Sequence, residues 1–145
     1  MISKEAAYII IEGLVTRFDE QVVSYKKTDY NETLTRRDFI DPFFKALGWD
    51  MDNSQGNAEA YREVIHEDKI KIGAATKAPD YSFKLAGGKR LFFVEAKKPS
   101  VVVKDEIMPA YQIRRYAWSA KLPISILTDF EDYLKEFDFI WDIFK

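Results

Sequence analysis

The stretch from Tyr81 to Val94 restricts the fold of this chain more than any other. Tyr81, Phe83 and Leu85 alternate with Ser82 and Lys84, and the apolar run Leu91 to Val94 follows Gly87-Gly88. Strand side chains alternate between faces, and paired glycines suit the tight connection between two strands. The pattern predicts a β-hairpin, and with it a sheet around which the remaining segments must pack.

Helical spacing frames that hairpin. Ile10, Ile11, Leu14, Val15, Phe18 and Val22 predict a helix over residues 4–25 with Ser3 as its cap. Residues 26–32 read as a loop. A second helix ends near Leu47, with Phe39, Ile40, Phe43, Phe44 and Leu47 as its apolar stripe. Thr35 with Asp38 resembles a capping box, and Gly48 is a natural stop. Pro42 removes a ladder bond and crowds the preceding turn, which predicts a kink or a later helix start. Residues 51–60 read as a loop, and residues 61–72, with Tyr61, Val64, Ile65, Ile70 and Ile72, as one strand. Residues 105–120 read as a helix carrying Ile113, Ala117 and Ala120 on one side, with Pro109 tolerated in its first turn. Ile124, Ile126 and Leu127 suggest a buried strand, and the stretch from Phe130 to Phe144 an amphipathic helix with acids opposite. The order α-α-β-β-β-α-β-α implies an α/β domain with a mixed central sheet and helices on both sides. No linker or repeat interrupts it, so residues 1–145 read as one domain.

Composition removes several chemistries. The chain has no cysteine and a single histidine, His66. Cys/His zinc sites, disulfides and a cysteine nucleophile are excluded, and His66 reads as a strand or edge residue. No stretch reaches the roughly 18 apolar residues of a membrane span, and the N-terminal segment lacks the pattern of a signal peptide. These readings predict a soluble, cytoplasmic protein. The net charge of −2 is uneven, because residues 129–145 hold six acids and two bases. Residues 84–104 carry Lys84, Lys89, Arg90, Lys97, Lys98 and Lys104 against the single acid Glu95. Such a segment suits a phosphate backbone or a solvated face.

The candidate chemistry lies on the hairpin. Fourteen residues separate Asp80 from Glu95, and Lys97 follows two residues later. Alternation points Glu95 and Lys97 the same way, and the hairpin brings Asp80 alongside. Two close carboxylates repel unless a cation or a proton lies between them. A hard divalent ion such as Mg²⁺ takes oxygen ligands, keeps waters and leaves room for a phosphate. A lysine beside it suits the orientation of water and the charge growing on phosphorus-bound oxygens.

Pro79-Asp80 with Glu95-Ala96-Lys97 resembles the PD-(D/E)xK nuclease motif. Gln112 and Tyr116 resemble the Gln-x-x-x-Tyr pair on the following helix in several branches of that superfamily. Glu32, ahead of the apolar helix that ends Leu47-Gly48-Trp49-Asp50, completes a resemblance spanning about residues 30 to 128. The pattern is similar to the N-terminal nuclease region of Type I restriction subunits and of fused Type II restriction–modification enzymes. The resemblance implies a restriction-endonuclease-like core and Mg²⁺-dependent cleavage of DNA, with Mn²⁺ as a substitute ion. Asp80 and Glu95 would hold the metal, aided by the Ala96 carbonyl and by Glu32, with Lys97 as the catalytic lysine. Gln112 would position Lys97 or the scissile phosphate, and Tyr116 would lie one turn further along the same face. Lys98 is a candidate DNA contact, and Arg114 and Arg115, set off the Gln112 face, either touch phosphates or face water. Enzymes of this kind are far longer than 145 residues. The resemblance therefore implies the N-terminal part of a larger restriction enzyme. Its partners would be DNA, the methyltransferase, target-recognition or motor domains, and a transient second copy for double-strand cleavage. The alternatives are a nuclease-like domain kept for DNA binding or assembly without cleavage, and an interaction domain that does not bind nucleic acid.

Overall fold

A computed structural model describes residues 2–85 and 87–131 of the chain. It divides into two compact units. One holds the residues up to Leu47, Ala96–Asp105 and the chain from Thr128 onward. The other holds Gly48–Glu95 and Glu106–Leu127.

The first unit is built on helix α1 (Lys4–Glu20). Ser3 caps it as expected, its side chain accepting from the Ala6 amide at 3.2 Å. Ala7, Ile11, Leu14 and Phe18 form the buried stripe, whereas Ile10 is exposed. The predicted single helix to residue 25 is broken at Gln21, after which α2 (Val22–Tyr25) makes one more turn. Phe18 centres an aromatic cluster, edge-on to Phe39 at 5.2 Å and to Phe130 at 5.6 Å.

The second helical region is one run in three pieces. Helix α3 (Glu32–Thr35) leads into a π-helical turn (Arg36–Ile40) and then into α4 (Asp41–Ala46). The expected capping box at Thr35 is not formed. The cap is Asn31, whose side chain accepts from the Leu34 amide at 3.0 Å, while Thr35 donates to the Asn31 carbonyl at 3.0 Å. The π turn answers the irregularity that Pro42 introduces. Proline offers no amide to the carbonyl four residues back, that of Asp38, and its ring crowds it. The Asp41 amide reaches instead to the Arg36 carbonyl, and the Arg17 guanidinium donates to the Asp38 carbonyl. Gly48, at φ +99°, ends the run as predicted, but Leu47 is exposed rather than part of the stripe.

The second unit carries most of the sheet. Its order is β1 (Val64–His66), β4 (Tyr81–Lys84), β5 (Arg90–Ala96), β6 (Ile124–Thr128), and the sheet is mixed. The β4–β5 hairpin forms around Gly87 and Gly88, both at positive φ, with Tyr81 opposite Val94 and Phe83 opposite Phe92. Helix α5 (Ile107–Ser119) connects β5 to β6, the helical crossover that a parallel neighbour requires. The fold class is thus the predicted α/β arrangement with a mixed central sheet. The single strand expected over residues 61–72 is instead two, because the chain turns at Glu67 with φ +55°. Tyr61 lies before them in an exposed 3₁₀ turn, and β2 (Ile70–Ile72) pairs with an unforeseen β3 (Ala75–Lys77) as a separate two-stranded hairpin.

The two faces of β4–β5 are covered differently. Ser82 and Phe93 are register partners on one face. Phe93 packs there with Ile70, Ile113, Tyr116 and Ala117, so α5 and β2 cover that side. On the other face Phe83 stacks on Phe92 at 4.5 Å, Trp49 meets Phe83 at 5.0 Å, and His66 meets Tyr81 at 5.1 Å. His66 is the expected edge residue, its Nε2 hydrogen-bonded to the Met51 carbonyl at 2.9 Å. The predicted C-terminal amphipathic helix falls largely outside the described residues. Phe130, read as its first apolar position, is a buried core residue at φ +72°.

Candidate active site

Asp80 directly precedes β4 and Glu95 directly follows Val94 in β5, so the Tyr81–Val94 register carries these two residues opposite each other. The Asp80 amide donates to Glu95 Oε2 at 3.3 Å, and the Glu67 amide donates to the Asp80 carbonyl at 3.0 Å. Glu95 is buried and Asp80 half-buried. The hairpin thus sets the two carboxylate residues side by side, as the sequence predicted. Strand alternation places both on the face that carries Ser82 and Phe93. Tyr116 belongs to the cluster on that face, so α5 lies over the same side of the sheet as the carboxylate pair.

Lys97 and Glu32 belong to the other unit, where they form an ion pair. Lys97 Nζ lies 3.6 Å from Glu32 Oε1, and the Lys97 amide donates to the Thr128 carbonyl at 2.8 Å. Asn31 fixes where the helix begins and so puts Glu32 in its first turn, where an acid suits the helix dipole. Its sequence neighbour Asp38 is engaged elsewhere, accepting from the Tyr30 hydroxyl at 3.0 Å and from Arg37 at 3.2 Å. Burial, with the hydrogen bond to Asp38 second, holds the Tyr30 phenol well above its ordinary range. Ala96 is buried between Glu95 and Lys97 in the chain, and Lys98 Nζ lies 3.5 Å from the Thr28 carbonyl.

Gln112 donates to the Tyr116 hydroxyl, so these two residues meet one turn apart as expected. Both line a pocket of about 220 Å³ between α5 and the β2–β3 hairpin. Arg115, expected off the Gln112 face, lines that pocket too, because a three-residue step along a helix returns to the same side. Its guanidinium lies 5.8 Å from the centre of the Tyr111 ring. Arg114 faces a different pocket, beside Trp118 and Ile124. The basic 84–104 segment is not a uniform stretch of solvated charge. Arg90 is held by Asp68 at 2.7 and 3.1 Å, and that bond raises its pKa, while Lys97 is held by Glu32.

A divalent metal fits the donor set of the hairpin. Both acids are hard oxygen donors on adjacent strands, and a backbone amide orients one of them. Among the described residues no group of three or more His, Cys, Asp or Glu side chains is arranged around a metal position. A two-carboxylate set is what Mg²⁺ commonly uses, since it keeps several of its waters. Sequence reasoning missed the β2–β3 hairpin with Lys77. Its signal was Gly73 amid alternating Lys69-Ile70-Lys71-Ile72, which had been absorbed into one longer strand.

Over 123 residues, 83% of its length, the chain is 45% identical to the Type II restriction enzyme and methyltransferase RM.Eco57I of Escherichia coli. It is homologous to part of a restriction–modification enzyme. The chain spans 12% of the length of that relative. No family model matches the chain, and no solved structure does. No helix among the described residues is long and apolar enough to cross a membrane.

Proposed function

We propose that the chain is the DNA-cleaving domain of a restriction–modification enzyme, a Mg²⁺-dependent endonuclease that leaves a 5′-phosphate and a 3′-hydroxyl. The observation that carries this reading is the Asp80–Glu95 pair, opposed across a hairpin in a segment homologous to a restriction enzyme. In this reading residues 1–145 are one nuclease domain of the PD-(D/E)xK type. The modification and sequence-recognition parts belong to a longer enzyme, and the domain acts in the cytoplasm.

Asp80 and Glu95, with the Ala96 carbonyl, would hold the ion. When bound, such an ion polarises the phosphorus–oxygen bond and eases ionisation of water. The remaining steps fall to side chains of this chain. Lys97, kept in place by Glu32, orients the attacking water and offers a positive charge to the non-bridging oxygens, where negative charge grows in the transition state. Gln112 and Tyr116 hold the phosphate in position over the face that carries the carboxylates. The water oxygen forms the new bond to phosphorus, the bond to the 3′ oxygen breaks, and that oxygen takes up a proton. One such site cuts one strand, so a transient pair of copies cuts both.

A plasmid-nicking assay tests the proposal. Supercoiled DNA is converted to nicked circles with Mg²⁺ or Mn²⁺, and Asp80→Asn and Glu95→Gln abolish the conversion. Tight DNA binding without nicking at any metal concentration would instead support a non-cleaving DNA-binding domain.

A further inference from the structure

The β2–β3 hairpin and α5 form a second cationic surface, beside Gln112 and Tyr116. Residues 69–77 contain Lys69, Lys71 and Lys77 and no acid, and α5 contains Arg114 and Arg115 and no acid. All five cations are exposed, and none is in an ion pair among the described residues. The register sorts the lysines. Ile70 is opposite Lys77 and Ile72 opposite Ala75, so these four share one face of the hairpin, while Lys71 and Thr76 share the other. Ile70 and Ile72 pack into the cluster with Ile113 and Tyr116, so the Lys77 face is the one turned toward α5. Lys77 and Arg115 accordingly line one pocket of about 220 Å³, together with Tyr111, Gln112 and Tyr116 and with no carboxylate in its lining.

Two like charges facing one concavity repel each other unless an anion enters, and a cationic concavity concentrates field toward such an anion. The pocket is lined by polar and apolar side chains alike, and the exposed Tyr111 ring lies beside the Arg115 guanidinium. That combination fits a sugar–phosphate backbone, with two cations for phosphate and an aromatic face for the sugar edge. We propose that the β2–β3 hairpin and α5 clamp the DNA backbone through Lys77 and Arg115, and that this contact is independent of base sequence. The proposal rests on the reading of DNA as the substrate. It adds a docking surface in which Arg115 had been read from the sequence as a DNA contact and Lys77 had not, and it assigns Arg114 and Lys71 no part in the pocket.

The test is salt-dependent binding of a fluorescent 30-base-pair duplex to the whole chain, followed by anisotropy in EDTA so that no cleavage occurs. Two double variants remove the same charge, Lys77→Gln with Arg115→Gln on the pocket and Lys71→Gln with Arg114→Gln off it. Each phosphate contact contributes about 0.9 to the slope of log K against log salt. The pocket variant should lose about 1.8 of that slope and bind roughly 60-fold more weakly at 0.1 M salt. The off-pocket variant should change the slope by less than about half of that. Lys77→Arg with Arg115→Lys should restore binding, which separates charge from misfolding. Equal losses in both double variants would overturn the pocket assignment, as would an unchanged pocket variant, and both would leave the nuclease proposal standing. Wild-type chain that fails to bind DNA at any salt would overturn both. Inorganic pyrophosphate that binds through Arg115 while DNA binding ignores Arg115 would make this a small-anion site and sink the clamp.

Discussion

Replacing Lys97 separates its structural share from its chemical one. Its side chain is 19% exposed and its partner Glu32 42% exposed, at an N–O distance of 3.6 Å. A pair this open to solvent is worth about 0.2–1 kcal/mol. Lys97→Met keeps most of the apolar stem, and loss of the pair with Glu32 should lower the melting temperature by roughly 1–4 °C for a chain of this size. Lys97→Ala also removes the packed stem, which adds about 1 kcal/mol to the loss. If the ammonium acts on charge that appears only in the transition state, both variants should lose cleavage alike, by roughly 100- to 1,000-fold. The assay is plasmid nicking with Mg²⁺, run below the melting onset of every variant, beside thermal unfolding of the same samples. Lys98→Met is the control, since its Nζ lies 3.5 Å from a backbone carbonyl and forms no ion pair among the described residues. Lys97→Met within tenfold of wild type would refute the chemical role. An inactive Lys98→Met beside an active Lys97→Met would show that the wrong strand face had been assigned to catalysis.

Mn²⁺ at 100 times its dissociation constant should stabilise the wild-type chain by about 2.7 kcal/mol. Asp80→Asn should erase that shift, and an unshifted wild-type melting curve at millimolar Mn²⁺ would count against the carboxylate pair. The raised pKa of Tyr30 means that its folded form favours the protonated phenol. Its contribution to stability is complete below the ordinary tyrosine range and fades as pH rises through the folded value. Denaturant titrations above pH 10 should therefore decline more steeply for wild type than for Tyr30→Phe, and parallel curves would remove Tyr30 as a cause. Arg17→Met should destabilise the first unit by about 0.5–1.5 kcal/mol by taking the donor from the Asp38 carbonyl, read as a lower urea midpoint at unchanged slope. Ser82 Oγ is buried with no hydrogen-bond partner among the described residues, so Ser82→Ala should leave stability unchanged or raise it. A large loss there would reveal a partner for that hydroxyl.

What the sequence made legible follows the range of each signal. The β4–β5 hairpin, the Ser3 cap, the stop at Gly48 and helix α5 are written in short windows, and each formed where expected. The Asp80–Glu95 opposition was legible for the same reason, because a hairpin turns a separation of fourteen residues into a register. The misreadings came where one local pattern admits two geometries. Lys69-Ile70-Lys71-Ile72 alternates as a continuing strand would, and only the turn at Glu67 and the fold-back at Gly73 show that the strand is new. Thr35 with Asp38 satisfies a capping-box pattern, yet Asn31 four residues earlier is an equally good cap and also satisfies the Thr35 hydroxyl. Ile10 and Leu47 fit helical stripes that are wider in sequence than the faces the fold covers.

The Asn31 cap matters beyond bookkeeping of boundaries, because it decides which acid faces Lys97. Had the helix begun at Thr35, Asp38 would have occupied its first turn and Glu32 would have lain in the preceding loop. With Asn31 as cap, Glu32 takes the first turn, and the helix must then run through Asp38 to Pro42. An uninterrupted α-helix through that stretch would set the Asp38 carbonyl against the Pro42 ring. The π turn widens the backbone there, and Arg17 on α1 supplies the donor that proline cannot. The same region uses the Asp38 carboxylate for Tyr30 and Arg37. Asp38 is thus committed to the helix itself, and Glu32, ten residues before Pro42, stays with Lys97. The irregular turn is what lets one helical run satisfy a proline at one end and present a carboxylate to the candidate catalytic lysine at the other.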